Sequence, residues 1–90
     1  MPTITLRLSE SLLCIFRDAG SPKKESCELR VAQGTTVREI LADQGINPLL
    51  VPMAGWRCAG DDSKHQKRLE QDAVLDRDGI LTLYGPLAGG

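Results

Sequence analysis

Apolar and polar residues alternate strictly near the start of the chain. In Thr3-Ile4-Thr5-Leu6-Arg7-Leu8 every second side chain is apolar. A period of two predicts a half-buried strand with Ile4, Leu6 and Leu8 facing the core. Cys27-Glu28-Leu29-Arg30-Val31 repeats the pattern and predicts a second strand, antiparallel to the first. Between them, Ser9–Ala19 satisfies two patterns. Ser9 or Ser11 can cap a short helix that carries Leu12, Leu13 and Phe16 on one face and closes at Gly20. Leu13-Cys14-Ile15-Phe16-Arg17 can equally extend a hairpin. Gly20 to Glu25 is a polar turn.

After the second strand the period changes. Gln33-Gly34 breaks the alternation, and Thr36-Val37-Arg38-Glu39 has the spacing of a capping box, in which the Thr36 hydroxyl accepts from the Glu39 N–H. Val37, Ile40 and Leu41 form an i, i+3, i+4 stripe suited to packing on a sheet. Gly45 is the expected left-handed stop and Pro48 prevents resumption, so the helix runs two to three turns. Leu49-Leu50-Val51 and Met53-Ala54 are apolar but split by Pro52, which predicts a third strand that is short or at an edge, continued by Gly55-Trp56-Arg57-Cys58 through a turn. Ala59 to Glu70 is polar and reads as a surface loop with room for one helical turn. Asp76-Arg77-Asp78-Gly79 is a strong turn signal, and Ile80-Leu81-Thr82-Leu83-Tyr84 a final strand. Strands distributed around one main helix predict an α+β fold, with a mixed sheet of four to five strands.

Ninety residues make one domain with a small core, so a deep private active site is not expected. Residues 1–84 would form its body and 85–90 an exposed tail. Phe16, Trp56 and Tyr84 are the only aromatics, so the core must be aliphatic. A net charge of −1 and the lack of a basic stripe argue against nucleic-acid binding. No apolar run approaches the ~20 residues of a membrane span, and the start lacks the pattern of a signal peptide. The cytoplasm is the expected compartment. Three cysteines, Cys14, Cys27 and Cys58, are too far apart for a CxxC pair and too few for a plant-type iron–sulfur cluster, and no metal site is expected. His65 is the only histidine, and no nucleophile–base spacing surrounds it.

The chemistry points to the last six residues, Gly85-Pro86-Leu87-Ala88-Gly89-Gly90. Pro86 cannot donate to a sheet ladder, and Ala88, Gly89 and Gly90 have almost no side-chain surface to bury. A thin arm of six residues reaches roughly 20 Å at about 3.3–3.6 Å each. Its carboxylate is ionised at neutral pH and becomes an acyl donor only after activation, for example as an acyl-adenylate. Activation requires a closed, water-free site, and a tail without bulky side chains can thread into one.

Two blocks carry a resemblance. Leu29-Arg30-Val31-Ala32-Gln33-Gly34-Thr35-Thr36-Val37-Arg38-Glu39-Ile40-Leu41 is similar to the strand, Gly-Thr turn and helix of the ThiS/MoaD family of sulfur carrier proteins. Val74 to Gly90 resembles that family's closing turn, last strand and Gly-Gly end. Ile80 stands where the family often has an acidic residue, and Ala59–Asp72 is longer than usual. The resemblance agrees with the ubiquitin-like β-grasp that the order of elements already suggests, with the last strand central and parallel to the first. It implies that the Gly90 carboxylate is the reacting group, with Gly89, Ala88, Leu87 and Pro86 entering the partner's channel. The implied partners are an adenylating enzyme of the ubiquitin-activating type, a sulfur donor and a sulfur-accepting synthase. ATP and Mg²⁺ belong to the activating enzyme, and the carrier binds no cofactor and is not itself an enzyme, although it can be the small subunit of a synthase. The sulfur would go to molybdopterin, thiamin or a sulfur amino acid. Two alternatives stand beside this reading: a ubiquitin-like modifier joined to lysines through Gly90, and a β-grasp interaction module without acyl chemistry. Docking is expected on the globular face, around Trp56 or Leu49.

Overall fold

A computed structural model describes residues 1–60 and 67–85. Strand β1 (Thr3–Leu8) leads into helix α1 (Glu10–Asp18), which returns through a turn to strand β2 (Ser26–Arg30). A two-residue strand β3 (Thr35–Thr36) precedes helix α2 (Val37–Asp43). A 3₁₀ turn (Pro48–Leu50), strand β4 (Met53–Cys58), short strands β5 (Lys67–Leu69) and β6 (Val74–Leu75), and strand β7 (Gly79–Tyr84) complete the order.

The main sheet has the order β2-β1-β7-β4-β5, and β3 pairs with β6 in a separate two-stranded ladder. β7 lies in the middle, parallel to β1 and antiparallel to β4. The first and last strands are therefore adjacent and parallel, which is the β-grasp arrangement, and the alternating segments take the expected faces. Ile4, Leu6 and Leu8 from β1 and Leu81 and Leu83 from β7 are buried together, with Val37, Ile40 and Leu41 of α2 against them. Each such side chain contributes about 1.5–3 kcal/mol by leaving water.

The boundaries of α2 show how its ends are satisfied. The Thr36 hydroxyl accepts from the Glu39 N–H at 3.2 Å. The Val37 and Arg38 N–H groups, which have no partner within the helix, donate to the Ala73 and Gln71 carbonyls. At the other end Gly45 adopts φ +69°, and Lys23 Nζ donates to the Gln44 carbonyl at 2.8 Å while standing 5.5 Å over the Phe16 ring. Polar groups from two neighbouring loops thus close both helix ends.

Four expectations are resolved or corrected. Ser9–Ala19 is helical, because Leu12 and Phe16 both reach the core from one face of α1. α1 thus adds Leu12 and Phe16 to the core that the main helix, α2, covers with Val37, Ile40 and Leu41. Leu49 and Leu50 belong to a 3₁₀ turn, begun by Pro48 and held by the Asn47 side chain, whose oxygen accepts from the Leu49 N–H at 3.0 Å. β4 is neither short nor at an edge: it runs six residues between β7 and β5, with Pro52 just outside it and Gly55-Trp56-Arg57-Cys58 in the strand, not at a turn. The polar segment after Ala59 is not wholly loop, since Lys67–Leu69 pairs with Ala54–Trp56 as β5. His65 lies outside the described residues.

Candidate functional site

The strand that would present the tail ends at Tyr84, and Gly85 follows it. Parallel pairing sets Leu8 of β1 beside Leu83 of β7, so the start of α1 stands next to the end of β7. The Ser9 N–H donates to the Leu83 carbonyl at 2.9 Å, and the Gly85 N–H donates to Ser9 Oγ at 3.2 Å. Ser9 Oγ and Ser11 Oγ are 3.1 Å apart and share a hydrogen bond. Gly85 is buried at this junction. A Cβ added to it would lie 2.9 Å from Ser11 Oγ and 3.1 Å from Leu12 Cγ. Glycine suits position 85 because a side chain there would crowd Ser11 and Leu12, not because of its backbone conformation. Gly85 was expected as the first residue of an exposed tail, whereas it is packed against the body. Pro86, Leu87, Ala88, Gly89 and Gly90 lie outside the described residues.

Ser9 also stands at the N-cap of α1 with an extended backbone (φ −66°, ψ 161°), yet its side chain makes no cap hydrogen bond. An N-cap serine ordinarily accepts from an N–H of the first turn. Here the oxygen accepts from the Gly85 N–H instead.

The face of the sheet away from the helices carries the second feature. The alternation that turns Leu6, Ala54 and Leu81 inward turns Arg7, Arg57, Thr82 and Tyr84 outward. In the row Arg7–Thr82–Gly55–Arg68 the two arginines stand three strand spacings apart, roughly 14 Å at about 4.8 Å each. Among the described strand positions on this face, Arg7, Arg30, Arg57 and Arg68 are cationic and only Glu28 is acidic. On a chain of net charge −1, this is a local positive surface. Arg57 Nε is shielded from solvent and has no hydrogen-bond partner among the described residues.

At the end of the sheet where β7 finishes, Met53 pairs with Tyr84 and is exposed, and Leu49 is 87 % exposed. A groove of about 420 Å³ is lined there by Leu49, Met53 and Arg68, among others. Of the two anchors expected on the globular face, Leu49 is available. Trp56 is not: it is buried over Gly79, close enough that a Cβ there would lie 2.7 Å from the indole ring. Cys14, Cys27 and Cys58 are half-buried free thiols, and no three metal-ligating side chains come together among the described residues. Among the same residues, no helix is long and apolar enough to cross a membrane.

Sequence reading found neither Ser9 as a tail contact nor the arginine surface. The first was within reach, because parallel terminal strands bring residue 9 beside residue 85. The second was not, because Arg57 was read at a turn beyond a short third strand and Arg68 in a surface loop, whereas they lie in β4 and β5.

No family profile and no curated protein matches the chain. By its architecture it has the ubiquitin-like β-grasp fold. The crystal structure of SAMP1 from Haloferax volcanii is similar, with a TM-score of 0.57 and 18 % sequence identity over 98 % of this chain and 99 % of that one. At that identity the likeness concerns the fold.

Proposed function

We propose that this protein is a sulfur carrier whose reacting group is the carboxylate of Gly90. The observation that carries the reading is positional: the central strand β7 ends at the rim of the sheet, and only Gly85 and Pro86 separate it from Leu87-Ala88-Gly89-Gly90. In the first step the carboxylate attacks the α-phosphorus of ATP, bound with Mg²⁺ by a separate adenylating enzyme, and pyrophosphate leaves. Hydrosulfide supplied by a sulfur donor then adds to the acyl carbon, AMP leaves with one former carboxylate oxygen, and loss of a proton leaves the Gly90 thiocarboxylate. The Gly90 thiocarboxylate passes its sulfur to an acceptor synthase that builds molybdopterin, thiamin or a sulfur amino acid. Pro86 and Leu87 sit at the channel mouth, and Ala88, Gly89 and Gly90 pass through it. The carrier contributes no catalytic side chain and works in the cytoplasm.

Ordering five tail residues costs about 1–2 kcal/mol each, so the body must supply the docking energy. The outer sheet face suits an activating enzyme with an acidic surface, because among its described strand positions four arginines stand against one carboxylate, Glu28. Leu49 and Met53 extend the contact at the tail end.

A second reading has its own support. The similar structure is that of SAMP1, a small archaeal modifier protein. In this reading the same acyl-adenylate is captured by a lysine amine, and Gly90 ends in an isopeptide bond. Intact mass separates the two in the source cells. A carrier gains the mass of one sulfur minus one oxygen, and loses that gain when Gly90 is deleted. A modifier appears instead as higher-mass conjugates, and an interaction module shows neither change.

A further inference from the structure

We propose that Ser9 is a positioning residue that fixes the root of the tail, so that the five residues after Gly85 depart from a fixed point at the first turn of α1. This rests on the reading of Gly90 as the reacting group. Three observations converge. Ser9 has the backbone geometry of an N-cap but makes no cap bond with its side chain. Its oxygen accepts from the Gly85 N–H at 3.2 Å, across 76 residues of sequence. Gly85 is itself buried, with Ser11 and Leu12 filling the space a side chain would need.

The chemistry gives the contact a use. A five-residue arm spans at most about 18 Å. If its first residue swings freely, the carboxylate samples a wide volume, and the activating enzyme must bear the full cost of confining it. A root bonded to Ser9 Oγ and packed against Ser11 and Leu12 restricts the direction of departure before docking. Ser9 holds it through its main chain, by donating to Leu83, and through its side chain, by accepting from Gly85. Ser11, bonded to Ser9 Oγ, keeps that oxygen facing the tail. The clamp joins the end of β1 to the end of β7, so it ties the tail to the two strands at the centre of the fold.

Two measurements on the full chain test this. In ¹⁵N-labelled protein, Ser9→Ala should speed exchange of the Gly85 amide about fivefold or more while the amides of Leu81 and Leu83 keep their protection. In the source cells, at equal soluble expression, the thiocarboxylated fraction of Ser9→Ala should fall several-fold below wild type. Ser9→Thr, which keeps a hydroxyl at the same place, should restore both values. Gly85→Ala opens the clamp from the tail side and should reproduce the loss if Ser9→Ala is poorly soluble. Unchanged Gly85 exchange in Ser9→Ala would show that the clamp does not hold the root. Faster exchange with an unchanged thiocarboxylated fraction would show that it has no positioning role. Both are comparisons of variant with wild type, whereas failure of the carrier reading appears as the absence of sulfur on the wild-type chain.

Discussion

Gly79 begins β7 where the indole of Trp56 crosses it, and a methyl group there would lie 2.5 Å from the Arg57 carbonyl and 2.7 Å from the ring. Neither neighbour can yield cheaply, because one is backbone in the adjacent strand and the other a buried ring. Gly34 is the opposite case: its φ is +90°, but nothing stands within 4 Å of the place a Cβ would occupy. Gly79→Ala should therefore destabilise by about 1–3 kcal/mol or more through overpacking, and Gly34→Ala by about 1–2 kcal/mol through its left-handed backbone. Thermal unfolding checks the order, with about 4–8 °C expected per kcal/mol in a domain of this size. Gly79→Ala should unfold at the lower temperature. Thr36→Ala removes the hydroxyl that caps α2 and should cost about 1 kcal/mol, read as a lower urea midpoint at unchanged slope.

At the scale of elements, sequence reading succeeded where local chemistry alone determines the outcome. The period-two pattern of β1 and the capping box of α2 needed no tertiary information. α1 did, because Leu12, Leu13 and Phe16 suit a helix while Leu13–Arg17 suits a strand, and only contact with the core decides between them. β4 and β5 were obscured for another reason. Pro52 suggests an interruption but lies just outside the strand, and Lys67-Arg68-Leu69 has too little apolar surface to announce pairing with β4. The arginine surface was hidden with them. It supports a prediction at this scale: Arg7→Glu combined with Arg68→Glu should leave the unfolding temperature within a few degrees of wild type, since both residues are exposed. The same pair should lower the thiocarboxylated fraction in cells, and the loss should exceed that of the charge-neutral pair Arg7→Gln and Arg68→Gln. Equal yields from all three proteins would remove this face from the docking surface.

At the scale of the molecule, the parallel placement of the terminal strands joins the fold to its proposed use. It centres β7 in the sheet, so the strand leading to the tail has paired neighbours on both sides. It also brings Ser9 to Gly85. The β-grasp and the central last strand were legible from the order of elements, and the clamp follows from that topology once α1 is known to begin at Glu10. The proposed tail, residues 86–90, lies outside the described residues and rests on composition alone: Ala88, Gly89 and Gly90 after Pro86 and Leu87.

The most direct test reads the tail as a peptide. No lysine or arginine follows Arg77, so trypsin releases Asp78 to Gly90 as one fragment. Mass spectrometry of that fragment from the source cells, with ATP-dependent metabolism intact, should find a species in which sulfur replaces one carboxyl oxygen of Gly90. Finding the fragment on lysines of other proteins would assign the modifier reading instead. A fragment that carries only an unmodified carboxylate under sulfur-replete and sulfur-limited growth alike, together with a Gly90 deletion that leaves the cells unaffected, would contradict the claim that this carboxyl is the working group.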